Sequence, residues 1–160
     1  MRKVISGTES RMTRSERALS MFRNGYNCAQ SVLFSFSEEL GIDGDTALRI
    51  ASGFGGGMGR MQEVCGAVTG GIMVIGLRFG RGEQGDRDAA AEAYAKTRAL
   101  MEQFALRHGS YCCRNLLGGC ELQSAEGRKA FVERDLINRI CAPCVSNVVE
   151  ILEPLIAGDS

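Results

Sequence analysis

The sequence shows no surplus of either charge: nineteen Lys and Arg offset nineteen Asp and Glu, and the two signs are mixed along the chain. That excludes the basic stripe of a nucleic-acid binder and the polybasic segment of a membrane anchor. The first twelve residues, MRKVISGTESRM, contain no apolar core of a secretory signal. The longest apolar stretch, Cys65 to Leu77, is shorter than the roughly 20 residues a membrane-spanning helix needs. A soluble, cytoplasmic protein is the expectation. Period-two alternation is missing, and no Asn-Gly or Asp-Gly turn stands between β-rich runs, so hairpins are not expected. The glycine cluster fits no G-x-G-x-x-G register and no G-x-x-x-x-G-K-[ST] loop is present, which argues against a nucleotide site. There is a single histidine, His108. Near a helix end it reads first as a partner for the helix dipole, and second as half of a Cys–His pair.

What the chain does have is cysteine and glycine, seven of the one and 21 of the other in 160 residues. The composition, 44% hydrophobic and 24% charged, is that of one globular domain able to bury a core. An odd cysteine count without a signal segment does not suit a secreted disulfide scaffold. In a reducing compartment this density points to metal, redox or catalytic work, although any single cysteine also serves as a small buried hydrophobe.

Taken in order, residues 1–12 read as a flexible N-terminus and 13–157 as one all-α domain, a helical bundle around a central Gly-rich helix. Thr13 and Glu16 form a capping-box pattern for a first helix with Ala18, Leu19 and Phe22 inward. Asn27 caps a second helix carrying Ala29, Leu33, Phe36 and Leu40, and Thr46 to Ser52 is a short third. A long alanine-rich helix follows between Asp86 and Arg107, with Tyr94, Met101, Phe104 and Ala105 on one face, and Gly109 stops it. Ser124 caps a helix with Phe131 and Val132. The last helix carries Val145, Val148, Val149, Leu152, Leu155 and Ile156, with Cys141-Ala-Pro-Cys144 in its first turn.

The stretch from Gly53 to Gly80 organises the rest. A glycine cluster leads to Cys65, and then to an apolar helix on which Gly66 and Gly70 stand four apart, on one face. Each glycine weakens a helix by about 1 kcal/mol relative to alanine, so the strip implies close approach of a backbone or a cofactor. Gly57, Gly66 and Gly70 are the candidates for bordering a cofactor. Cys28, Cys65, Cys113 and Cys141 all fall at or near expected helix N-termini, where free N–H groups and the dipole favour a thiolate. Their separations are too wide for a ferredoxin or zinc-knuckle pattern. Cys141 and Cys144 also suit a local dithiol, though the βαβ setting of a thioredoxin-like domain is missing. Cys112 and Cys120 are expected outside any shared site.

The chain resembles the redox-active protein family named after the pattern C-GCAxxG-C-C. The resemblance rests on Tyr26-Asn27-Cys28-Ala29-Gln30-Ser31-Val32, on Gly53 to Arg60 with Cys65-Gly66-Ala67-Val68-Thr69-Gly70-Gly71, on His108-Gly109-Ser110 with Cys113-Arg114-Asn115-Leu116-Leu117-Gly118, and on Cys141-Ala-Pro-Cys144-Val145. The family is similar to the N-terminal part of split-Soret cytochromes, where the corresponding cysteines are thought to hold an iron–sulfur cluster. No C-x-x-C-H motif is present, so the haem half of that similarity is not implied. The resemblance implies a soluble helical protein in which Cys28, Cys65, Cys113 and Cys141 meet at one site, with Cys112 and Cys144 as additions. Three chemistries stay open at this point. One is an iron–sulfur cluster for electron transfer or sensing; another is thiol–disulfide exchange by Cys65 or Cys141 with Cys144; the third is a structural zinc site. A redox partner of unstated identity is expected, no nucleic acid and no membrane, with a homodimer left open.

Overall fold

The structure, a computed structural model, describes residues 12–157; the expected flexible N-terminus lies almost wholly outside them. The described residues form eight α-helices and no strand: α1 (Arg14–Arg23), α2 (Cys28–Ser37), α3 (Gly44–Ala51), α4 (Gly66–Phe79), α5 (Arg87–His108), α6 (Cys113–Leu116), α7 (Ala125–Glu133) and α8 (Ala142–Ala157). The protein is a single all-α domain. The one β contact among the described residues is an isolated antiparallel bridge between Val64 and Cys112.

Local chemistry sets most helix starts. Thr13 and Glu16 close a capping box on α1, and Asn27 and Gln30 close another on α2. Asp43, Asp86 and Ser124 cap α3, α5 and α7 with side-chain oxygens, each offsetting N–H groups that the helix leaves unpaired. Gly109, at φ 83, ends α5 in the left-handed conformation glycine adopts without strain.

Helix α4 is central, in contact with α2, α5 and α8. Its small residues explain why. A Cβ on Gly70 would lie 2.7 Å from the Ala29 carbonyl oxygen, and one on Gly71 would lie 2.8 Å from Leu100 and 2.9 Å from Val148. The glycines thus let α4 lie against the α2 backbone on one side and the α5 and α8 side chains on the other. Around it Phe36, Val68, Val74, Ile75, Leu100, Phe104, Val148 and Leu152 are buried. At about 1.5–3 kcal/mol for each large apolar side chain removed from water, this packing is what holds helices too short to persist alone.

Three expectations shift. On α5 the inward residues are Leu100 and Phe104, whereas Tyr94 is 68% exposed, because the face turned to α4 runs through Ala93 and Leu100 instead. Val132 of α7 is likewise exposed while Phe131 is half-buried. Cys141 does not open the last helix. A π-helical segment, Ile137–Cys141, runs without a break into α8, and the Ala142 N–H reaches back to the Ile137 carbonyl. Pro143 accounts for this: it has no N–H and its ring crowds the preceding turn, so the helix widens ahead of it. The continuous helix Ile137–Ala157, with mean hydropathy 1.5, has the length and composition of a membrane span, but Val145, Val148, Val149 and Leu152 are buried inside the bundle.

Candidate functional site

The loop between α3 and α4 builds the site. Gly56, Gly57, Met58, Gly59 and Arg60 follow one another at positive φ, and Gln62 repeats it at 59°. Left-handed backbone costs roughly 1–2 kcal/mol for each residue that is not glycine, so a glycine-rich stretch is what this turn requires. At its end Gln62 is 1% exposed. Its amide donates to the Cys120 carbonyl (2.6 Å) and accepts from the Leu122 N–H (2.9 Å). The backbone continues the clamp: Cys113 N–H donates to Glu63 (2.7 Å), Arg114 N–H to Gln62 (3.1 Å) and Cys65 N–H to Tyr111 (2.8 Å). Cys65 and Cys113 are thereby fixed to one another although 48 positions separate them. Gly57 completes the contact, since a Cβ there would lie 2.8 Å from the Cys113 Cβ.

Cys28, Cys65, Cys113, Cys141 and Cys144 line one cavity of about 380 Å³. Gly57 and Gly66 line it too. Gly70 does not; its missing Cβ is taken up by α2. Cys112 and Cys120 stand outside, their thiols donating to the carbonyls of Gln62 (3.4 Å) and Gly127 (3.0 Å).

All seven cysteines are free thiols, and the five in the cavity are not equivalent. Cys65 is the N-cap residue of α4, and its thiol is held below the ordinary value. The Cys144 S–H facing its sulfur is the first cause, and the N–H groups of Ala67 and Val68 add to it against the opposing effect of burial. These N–H contacts fall short of a formal capping hydrogen bond. Cys144, 1% exposed, is pushed far upward because its hydrogen is committed to Cys65 and because it is buried. Cys28 is raised by the hydrogen it turns to Cys141, then by burial and by the Cys65 charge. Burial, with the charges of Cys65 and Cys141, pushes Cys113 up to about 12. Of these thiols Cys65 gives up its proton most readily, while Cys28, Cys113 and Cys144 hold theirs more tightly than usual.

The pairing is the unexpected part. The two cysteines of the CAPC sequence lie three apart on one side of a helix, yet Cys144 faces Cys65 and Cys141 faces Cys28. Cys144 therefore belongs with the four cysteines expected to converge, and its spacing from Cys141 was the signal for it. Gln62, which holds the loop, carries no such signal. His108 lies behind Cys144, its Nδ1 3.9 Å from the Cys144 sulfur and its ring stacked on Phe104 at 4.4 Å between centroids. Its Nε2 is buried without a hydrogen-bond partner, and burial lowers its pKa.

Judged by side-chain placement alone, no three His, Cys, Asp or Glu side chains among the described residues are grouped to hold a metal ion. The set Cys28, Cys65, Cys113 and Cys141, expected as ligands, shares the one cavity.

The pattern of a family described as "Putative redox-active protein (C_GCAxxG_C_C)" matches residues 26–155. The chain belongs to this C_GCAxxG_C_C family. All five cavity cysteines of this C_GCAxxG_C_C protein fall inside the matched range, as do Gln62 and His108. A protein of Archaeoglobus fulgidus described only as uncharacterized is 29% identical over 143 residues, which is 84% of this chain and 87% of that relative. No solved structure matches the chain.

Proposed function

We propose that this protein carries out thiol–disulfide exchange in the cysteine-lined cavity, with Cys65 as the attacking thiolate and Cys144 as the resolving thiol. The observation that carries the reading is the placement of both residues in one cavity, Cys65 at a helix N-terminus with its pKa lowered chiefly by Cys144, and Cys144 with its own raised by Cys65. In the first step Cys65 S⁻ attacks a disulfide R–S–S–R′, forming a mixed disulfide with one half and releasing R′–S⁻. In the second, Cys144 gives up its proton and attacks the Cys65 sulfur. A Cys65–Cys144 disulfide forms, the remaining half leaves as R–S⁻, and that thiolate takes a proton. The substrate gains two electrons and the protein loses two; an external thiol reductant returns them. The facing pair Cys28 and Cys141 is a second dithiol in reach of the same substrate.

His108 supports the second step, since its Nδ1 is positioned to receive the Cys144 proton.

Trapping tests the reading. With a small disulfide, Cys144→Ser should accumulate the mixed disulfide on Cys65, because the resolving thiol is gone. Cys65→Ser should accumulate none at that position and should leave Cys144 unmodified. Mixed disulfide on Cys144 in Cys65→Ser, or none on Cys65 in Cys144→Ser, would overturn the assignment of roles.

A further inference from the structure

A pair of reacting sulfurs needs little room, yet the cavity holds about 380 Å³. That volume lies in the range of about 300–1,000 Å³ typical of small-molecule sites. Its walls are apolar, built from Phe22, Leu116, Phe131 and Ile140 among others, and two side chains with full positive charge, Arg60 and Arg128, border it. Among the described residues no Asp or Glu lines it. The two arginines are not alike. Arg128 is committed to the protein, donating to the carbonyls of Leu122 (3.1 Å) and Gln123 (2.9 Å). Arg60 is exposed, and its guanidinium makes no hydrogen bond or ion pair among the described residues. It is held at the rim by a left-handed loop, at φ 63.

We propose that the cavity takes a small disulfide, or the corresponding thiol, with an apolar body and an anionic group, the anion being recognised by Arg60. This rests on the exchange reading above and names its substrate class. The charge arrangement selects for it. A cation at the rim of an apolar, acid-free cavity gains a charge-assisted pair with an anion that water screens poorly there, and the apolar walls disfavour a polar body. A cationic disulfide would meet Arg60 and Arg128 with nothing to offset them. A protein disulfide would have to enter a cavity of small-molecule size.

The test uses the reduced, full-length protein under anaerobic conditions and three probes. They are 5,5′-dithiobis(2-nitrobenzoate), aromatic and anionic; 4,4′-dithiodipyridine, aromatic and neutral; and glutathione disulfide, anionic but polar. Each rate is divided by the rate of N-acetylcysteine with the same probe, which removes intrinsic reactivity. The normalised rate for the aromatic anion should exceed that for the neutral aromatic by about tenfold, the worth of one charge-assisted hydrogen bond, and should exceed that for glutathione disulfide as well. Arg60→Gln should bring the ratio of the two aromatic probes close to one, and Arg60→Lys should keep most of it. A wild-type ratio near one, or a ratio that Arg60→Gln leaves in place, overturns the inference while Cys65–Cys144 exchange still stands. If no probe yields a Cys65–Cys144 disulfide, both the exchange reading and this inference fall.

Discussion

Cys144 and Cys65 line one cavity, and the thiol buried on the last helix favours ionisation of the one at the start of the central helix. Neither element makes this relationship alone. Helix α4 supplies N–H groups without a partner side chain, and α8 supplies a donor that water does not reach. The consequence is a reactive sulfur whose proton affinity depends on a residue far away in sequence.

That dependence is measurable. The rate of Cys65 alkylation by iodoacetamide, followed by mass spectrometry against pH, should rise with a midpoint below the ordinary thiol value of 9.0. Cys144→Ala removes the donor and should move that midpoint upward; Cys144→Ser, which keeps an O–H, should move it less. Coincident curves for all three proteins would contradict the assignment.

The same charges fix how stability varies with pH under reducing conditions. Cys65 binds its proton less tightly folded than unfolded, so its contribution grows as pH rises through its folded value and is complete above 9.0. Cys28, Cys113 and Cys144 bind theirs more tightly when folded, so theirs is whole below 9.0 and is lost as pH climbs, for Cys113 toward about 12. The urea midpoint should therefore fall steadily above about pH 9, with Cys113→Ala declining less steeply than wild type. A flat profile between pH 9 and 11 would be inconsistent with burial of these thiols.

Two glycines should fail in different ways. Gly70→Ala places a Cβ 2.7 Å from the Ala29 carbonyl oxygen and should cost about 1–3 kcal/mol in chemical denaturation, as overpacking does, with the Cys65 midpoint unchanged. Gly57→Ala meets φ 68 and the Cys113 Cβ at 2.8 Å, so it should displace Cys113 and speed its alkylation. Equal effects from both would mean that the glycine loop does not position the cavity.

Sequence carried the local part of this structure well. Thr13 with Glu16, Asn27 with Gln30, Asp86 and Gly109 act within a few residues of themselves, so their patterns mark helix ends wherever the helices then pack. The choice of inward face on α5 was less legible, because alanine is compatible with any face and only the position of α4 decides between Tyr94 and Leu100. The small strip on α4 announced a close approach but not to what; Gly70 meets a helix backbone, while Gly57 and Gly66 border the cavity. The placement of Cys141 in a first turn fails for a physical reason, since a wide turn ahead of Pro143 lets the helix continue upstream of it. Which sulfur faces which depends on the left-handed glycine loop and on Gln62, long-range features that no local spacing encodes.

The central claim is the pairing of sulfurs across the cavity, and disulfide mapping tests it most directly. Protein purified anaerobically and fully reduced is treated with limiting 4,4′-dithiodipyridine, quenched in acid, digested and analysed for cross-linked peptides, with iron and acid-labile sulfide measured on the same sample. The account predicts a Cys65–Cys144 disulfide as the first product and Cys28–Cys141 as the second, with Cys112 and Cys120 still free. A Cys141–Cys144 linkage, no intramolecular disulfide, or stoichiometric iron and sulfide bound to the cavity cysteines would contradict it.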